Sequence, residues 1–143
     1  MITAYFDGSK KGGNDGVATY GYVIFRGQSL IDGGYGIVGI GDKFTNNIAE
    51  YHALYKLVRV IKDSAVDGES IVIKGDSRLV INQTTGKWHI NNEEFLKYID
   101  KIRYNIKDID VMFVWIPREE NTYADNLTKI AYNEYIMKEM ENI

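Results

Sequence analysis

Cysteine is absent from this 143-residue chain. Its absence excludes disulfides and thiolate metal ligands and predicts a reducing, cytoplasmic setting. There is one proline, Pro117, so no proline-rich linker divides the chain. Histidine is scarce: His52 and His89 show no zinc-site spacing, and ordinary structural roles suit both. Excess positive charge is also missing. The formal net charge is −3, which argues against a protein that coats nucleic acid through overall charge. No apolar run approaches the ~20 residues that span a bilayer, so no membrane partner is expected. The chain opens on strand-like Ile2-Thr3-Ala4-Tyr5-Phe6 with no basic n-region before it, which predicts no signal peptide.

What is present is ordinary globular material. Hydrophobic residues make up 45% of the chain, enough for a core without staples, and the length predicts one domain over residues 1–143. The 11 tyrosines read as packing first and stacking platforms second. Residues 2–8, 17–26 and 30–40 are β-rich and separated by Gly12-Gly13 and Gly27-Gln28, which predicts an antiparallel meander. Glycines 33, 34, 36 and 39 suggest bulges or close backbone approach. The period then changes. Ile48, Tyr51, Leu54, Tyr55, Val58 and Ile61 recur at three and four residues, giving a helix over about 47–63. A short apolar strand at 70–75, helices at 77–84 and 91–106, a strand at 111–116 and a helix from 121 to about 140 follow. The order β-β-β-α-β-α-α-β-α predicts an α/β fold. Its mixed five-stranded sheet has three antiparallel strands, then parallel ones, flanked by helices.

Four carboxylates sit in four distinctive settings: Asp7 before Gly8, Glu50 after Thr45-Asn46-Asn47-Ile48-Ala49, Asp76 between Gly75 and Ser77, and Asp125 after Asn121. Each has a local explanation. Asp7-Gly8 is a turn dipeptide, Asn47 to Glu50 matches a capping box, Asp76 suits an N-cap, and Asp125 suits a pair with Lys129. Asn121 fits either a cap or a group facing a site. Taken together, the four acids map to one edge of the sheet, where sites form in α/β proteins. Crowded carboxylates repel unless cations sit between them. Such a set is a candidate two-metal phosphodiester site.

In order and on matching elements, Asp7-Gly8-Ser9, Thr45-Asn46-Asn47-x-x-Glu50, Gly75-Asp76-Ser77 and Arg118-Glu119-Glu120-Asn121-x-x-x-Asp125 resemble type 1 ribonuclease H. The resemblance covers nearly the whole chain. It implies the ribonuclease H-like fold and endonucleolytic hydrolysis of the RNA strand of RNA–DNA hybrids, leaving 5′-phosphate and 3′-hydroxyl ends. Asp7, Glu50, Asp76 and Asp125 match the family's metal-binding carboxylates, Thr45, Asn46 and Asn47 its hybrid-contacting segment, and Asn121 a polar site position. Trp88, flanked by Lys87 and His89, is placed against the DNA strand or beneath its loop. Two departures stand out. The loop before Asp125 lacks the histidine of many relatives, leaving Arg118 as a phosphate contact or a plain surface residue. The stretch between Asp76 and the second long helix is too short for a basic protrusion.

The implied cofactor is a pair of Mg2+ ions, with Mn2+ as a substitute. Hard oxygen ligands suit both. Asp7 is expected to bridge the ions, Glu50 and Asp76 to complete one shell and Asp125 the other. The implied partner is an RNA–DNA hybrid, and the chain is expected to act as a monomer. A non-catalytic hybrid-binding module and a DNA-directed nuclease of the same superfamily are the competing readings.

Overall fold

The computed structural model describes residues 1–65 and 67–143. Strands β1 (Ile2–Lys11), β2 (Val17–Arg26) and β3 (Ser29–Ile40) form the meander, and helix α1 (Asn46–Ser64) follows. Then come β4 (Ile71–Gly75), α2 (Arg78–Thr84), α3 (Glu93–Ile106), β5 (Val111–Trp115), a 3-10 turn at Arg118–Glu120, and α4 (Thr122–Glu141). The sheet order is β3-β2-β1-β4-β5. The β1–β2 and β2–β3 pairs are antiparallel, and β1–β4 and β4–β5 are parallel. This is the mixed sheet that the sequence predicts.

Alternation along β1 sets the two layers. Ile2, Ala4 and Phe6 are buried in one cluster with Tyr51, Leu54, Leu57 and Ile61 of α1, so even-numbered β1 residues face that helix. Helix α3 packs on α1 through Ile99 and Ile102, both fully buried. Helix α4 packs on β1, β2 and β3, and its buried positions are small: Ala124, Thr128 and Ala131. The reason is Gly21. A Cβ there would lie 2.7 Å from Ala124 O and 2.7 Å from Leu127 Cβ. Ile136, further along the helix, is exposed.

The glycines of β3 serve close approach, while the extra residues at its two bulges are Ile31 and Val38. The register with β2 shifts near Ala18/Thr19 and Ile24/Phe25, as bulges do. A Cβ on Gly34, Gly36 or Gly39 would strike the ring of Tyr22, Tyr20 or Phe44 respectively. Flat aromatic rings cover that part of the sheet.

Asp7 is not at the end of its strand. The antiparallel ladder with β2 continues through Lys11↔Val17, whereas the parallel ladder with β4 stops at Phe6↔Gly75. Asp7 is the first β1 residue past the end of β4. It is held on one side by β2 and open on the other.

Candidate metal centre

Gly8 controls how close α1 comes to β1. A Cβ at Gly8 would fall 2.2 Å from both Ala49 C and Glu50 N, so only glycine lets the first turn of α1 rest on the strand. The approach lets the Gly8 N–H donate to Glu50 Oε1. Glu50 therefore does not close a capping box. Thr45 caps α1 instead, its Oγ1 accepting from Ile48 N at 3.2 Å. We expect Gly8→Ala to cost about 3 kcal/mol or more by overpacking, measured by urea unfolding. An unchanged midpoint would refute this contact.

The other ends of the site are fixed as firmly. Asp76 follows β4, but the cap of α2 is Ser77, whose Oγ accepts from Val80 N at 3.2 Å. That leaves the Asp76 carboxylate free of a capping role. Trp115 Nε1 donates to Asp76 O at 3.1 Å, and the Arg78 guanidinium lies 3.8 Å from the Trp115 ring centre. Asn121 is fully buried and makes no capping bond for α4. Its Nδ2 donates to Phe6 O at 2.9 Å and to Asp76 Oδ2 at 3.4 Å. Its burial and these two bonds make it a clamp between β1, the end of β4 and α4. Asn121→Ala strands the Phe6 carbonyl and should cost about 2 kcal/mol, read from chemical denaturation. A loss under about 0.5 kcal/mol would contradict the clamp.

The result is convergence. Carboxylate oxygens of Asp7, Glu50 and Asp76 all lie within 4.8 Å of one another. Asp125 lines the same cavity of about 300 Å³, with Asn46, Asn47 and Arg118 also in its wall. Its Oδ2 pairs with Lys129 Nζ at 3.1 Å, so the local explanation of Asp125 holds together with its place at the site. Asn46 Oδ1 accepts from Lys10 N at 2.8 Å. Thr45 lines an adjoining cavity. Trp88 is 47% exposed and does not line the carboxylate cavity. Ser9 and Ser77 do. Both flank the acids in sequence, and a polar residue beside a clustered acid is the signal that marks them.

Electrostatics explains what the cluster needs. Burial raises Asp7 from 3.8 to about 7, with Asp76 and Asp125 adding to the rise and a Glu50 hydrogen bond opposing it. Burial, then Asp7, pushes Glu50 well above the usual carboxylate range. Burial also raises Asp76, against the pull of Asn121 and Arg118. Glu50 Oε2 is buried without a hydrogen-bond partner among the described residues. Hard oxygen donors, mutual repulsion and an orphaned acceptor fit a divalent cation of the magnesium class.

Comparisons with known proteins bear on the family and the fold. A family model described as reverse transcriptase-like matches residues 5–131. Ribonuclease HI of Halobacterium salinarum is 35% identical over 137 residues, 93% of this chain and 65% of that protein. The crystal structure of RNase H1 from that archaeon superposes with a TM-score of 0.82 at 32% identity, covering 93% of this chain and 98% of that one. The chain belongs to the type 1 ribonuclease H family. LC11-RNase H1, solved in complex with an RNA/DNA hybrid, gives a TM-score of 0.82 at 28% identity and covers 95% of this ribonuclease H-family chain and 99% of its own. The chain spans 65% of the Halobacterium protein and 57% of Bacillus subtilis YpeP, a further relative. Among the described residues, no helix is long and apolar enough to cross a membrane.

Proposed function

We propose that this chain is a metal-dependent endoribonuclease that hydrolyses the RNA strand of RNA–DNA hybrids, acting as a single domain. The observation that carries the reading is the convergence of Asp7, Glu50 and Asp76 within 4.8 Å, with Asp125 in the same cavity wall. A binding module has no use for a buried, self-repelling cluster.

In this reading Asp7, Glu50, Asp76 and Asp125 are the cation's oxygen donors. When bound, divalent magnesium supplies Lewis acidity towards water and phosphate oxygens. The chain's own residues supply placement. The Gly8 N–H orients Glu50, which leaves Oε2 to accept from a ligand or a ribose 2′-hydroxyl, the group that separates RNA from DNA. Asn121 holds the Asp76 carboxylate, and Lys129 holds Asp125. Asn46 and Asn47 in the cavity wall, with Thr45 beside them, offer polar contacts to the hybrid. Arg118 offers a guanidinium to a phosphate, where many relatives have a histidine nearby. Cleavage leaves 5′-phosphate and 3′-hydroxyl ends.

Incubating hybrid, DNA duplex and RNA duplex of one sequence side by side, with magnesium and with EDTA, tests the reading. Hybrid alone should be cut, and only with the metal. Preferential cutting of DNA duplex would favour the DNA-directed nuclease, and retention of hybrid without cleavage would favour the binding module.

A further inference from the structure

Away from the carboxylates, cations and aromatic rings alternate along the outer seam between α1 and α3. Arg59 Cζ lies 5.7 Å from the Tyr55 ring centre, and Lys101 Nζ lies 5.5 Å from the same ring. Lys62 and Lys107 approach Tyr104 at 5.2 and 4.5 Å. Nearer the site, Lys56 Nζ is 5.9 Å from Tyr20. Lys43 is 5.3 Å from Phe44, directly before Thr45. Helical spacing produces this: His52, Lys56 and Arg59 follow at four and three residues, as do Lys97, Lys101 and Tyr104 on α3 at four and three.

Three observations separate this face from an ordinary solvated one. Among the described residues, none of Lys56, Arg59, Lys62, Lys101 and Lys107 forms an ion pair with a carboxylate, although the whole chain carries a net charge of −3. A cavity of about 480 Å³ opens along the seam, where Arg59 and Lys101 face the single carboxylate Asp100. The local field is positive: burial, then Lys56 and Lys101, lower His52 from 6.5 to about 4. The stripe also has an end. At Tyr104, the cavity that Lys62 and Lys107 also line holds Asp67, Glu69, Asp108 and Asp110, and the cationic run stops there.

Cations paired with accessible rings recognise one class of ligand well. Phosphates of a single strand meet the cations while its unpaired bases stack on the rings, with little regard to sequence. A duplex keeps its bases inside and would leave the rings unused. Tyr104, 59% exposed, is the ring most open to a base. We propose that the α1–α3 face binds single-stranded nucleic acid, giving an unpaired strand a path from the carboxylate site to Tyr104. The link to that site rests on the hydrolase reading above; the binding itself does not.

The test is fluorescence anisotropy of a labelled deoxythymidine oligonucleotide of about 15 residues, titrated with the chain in EDTA at several salt concentrations. Combining Lys56→Glu, Arg59→Glu and Lys101→Glu should weaken binding at least ~10-fold and flatten the logarithmic salt slope by about 2. Tyr104→Ala should weaken it about fivefold, and it serves as the decisive variant if the triple change unfolds the chain in a melting scan. Equal binding by the parent and by a folded triple variant, or by the parent and Tyr104→Ala, overturns the proposal. So does capture of an acidic peptide by the parent without capture of the oligonucleotide. Hybrid cleavage by the parent is scored separately. Its failure would remove the hydrolase reading and leave the oligonucleotide result standing, while intact cleavage without oligonucleotide binding would remove only this proposal.

Discussion

Asp7→Asn should reduce magnesium-dependent hybrid cleavage by ~10³-fold or more, while raising the melting temperature of the metal-free protein at pH 8. The first effect follows from removing a charged ligand whose contribution to transition-state charge stabilisation is several kcal/mol. The second follows from burial. Asp7 is 6% exposed, and its carboxyl is pushed up to about 7 by burial and then by its acidic neighbours. Ionisation at pH 8 therefore destabilises the fold, and an uncharged amide of the same size escapes that cost. The opposite signs make the experiment decisive. A variant that lost activity by misfolding would melt earlier, not later. If Asp7→Asn cuts hybrid at the parental rate, the site assignment is wrong.

Metal-free protein should lose stability as pH rises from about 4 to about 7, and magnesium should restore more of it at pH 8 than at pH 5. Within that window the unfolded chain has already released the Asp7 proton, whose ordinary value is 3.8, while the folded chain still holds it. The folded state binds more protons, so stability falls with rising pH. About three pH units at 1.36 kcal/mol each give on the order of 4 kcal/mol from Asp7. Glu50 and Asp76 shift in the same direction. A bound cation favours the ionised carboxylates and binds the folded state alone, so its stabilisation grows with pH. Thermal melts at pH 5 and pH 8, with and without magnesium, read this directly. A metal-free melting temperature that climbs between those two values would contradict it.

The elements were legible because their periods are clean. The α1 face from Ile48 to Ile61 and the alternation in β1 each admit one reading, and β5 is bracketed by Asp110 and Pro117. The parts that misled share one cause: a local motif has a local explanation that only long-range packing can overrule. Asp7-Gly8 looks like a turn, yet it continues a strand, because β2 supplies partners as far as Lys11↔Val17. Glu50 sits at capping-box spacing, but Gly8 offers its N–H from a strand 42 positions away. Asn121 reads equally as a cap or as a group facing the site until its burial and its bond to Phe6 O, 115 positions away, are known. The pairing of Asp125 with Lys129 lies within one helix and needed no tertiary information, so it was readable beforehand.

The Asn121 clamp joins the first strand of the chain to its last helix, and that has a consequence for synthesis. Ribosomes release the amino terminus first, so Asp7, Glu50 and Asp76 all emerge before the residue that ties β1 to the end of β4. Asp125 emerges later still. On the reading proposed above, a half-made chain would be harmless to the hybrids around it, and cutting would begin only once α4 had docked.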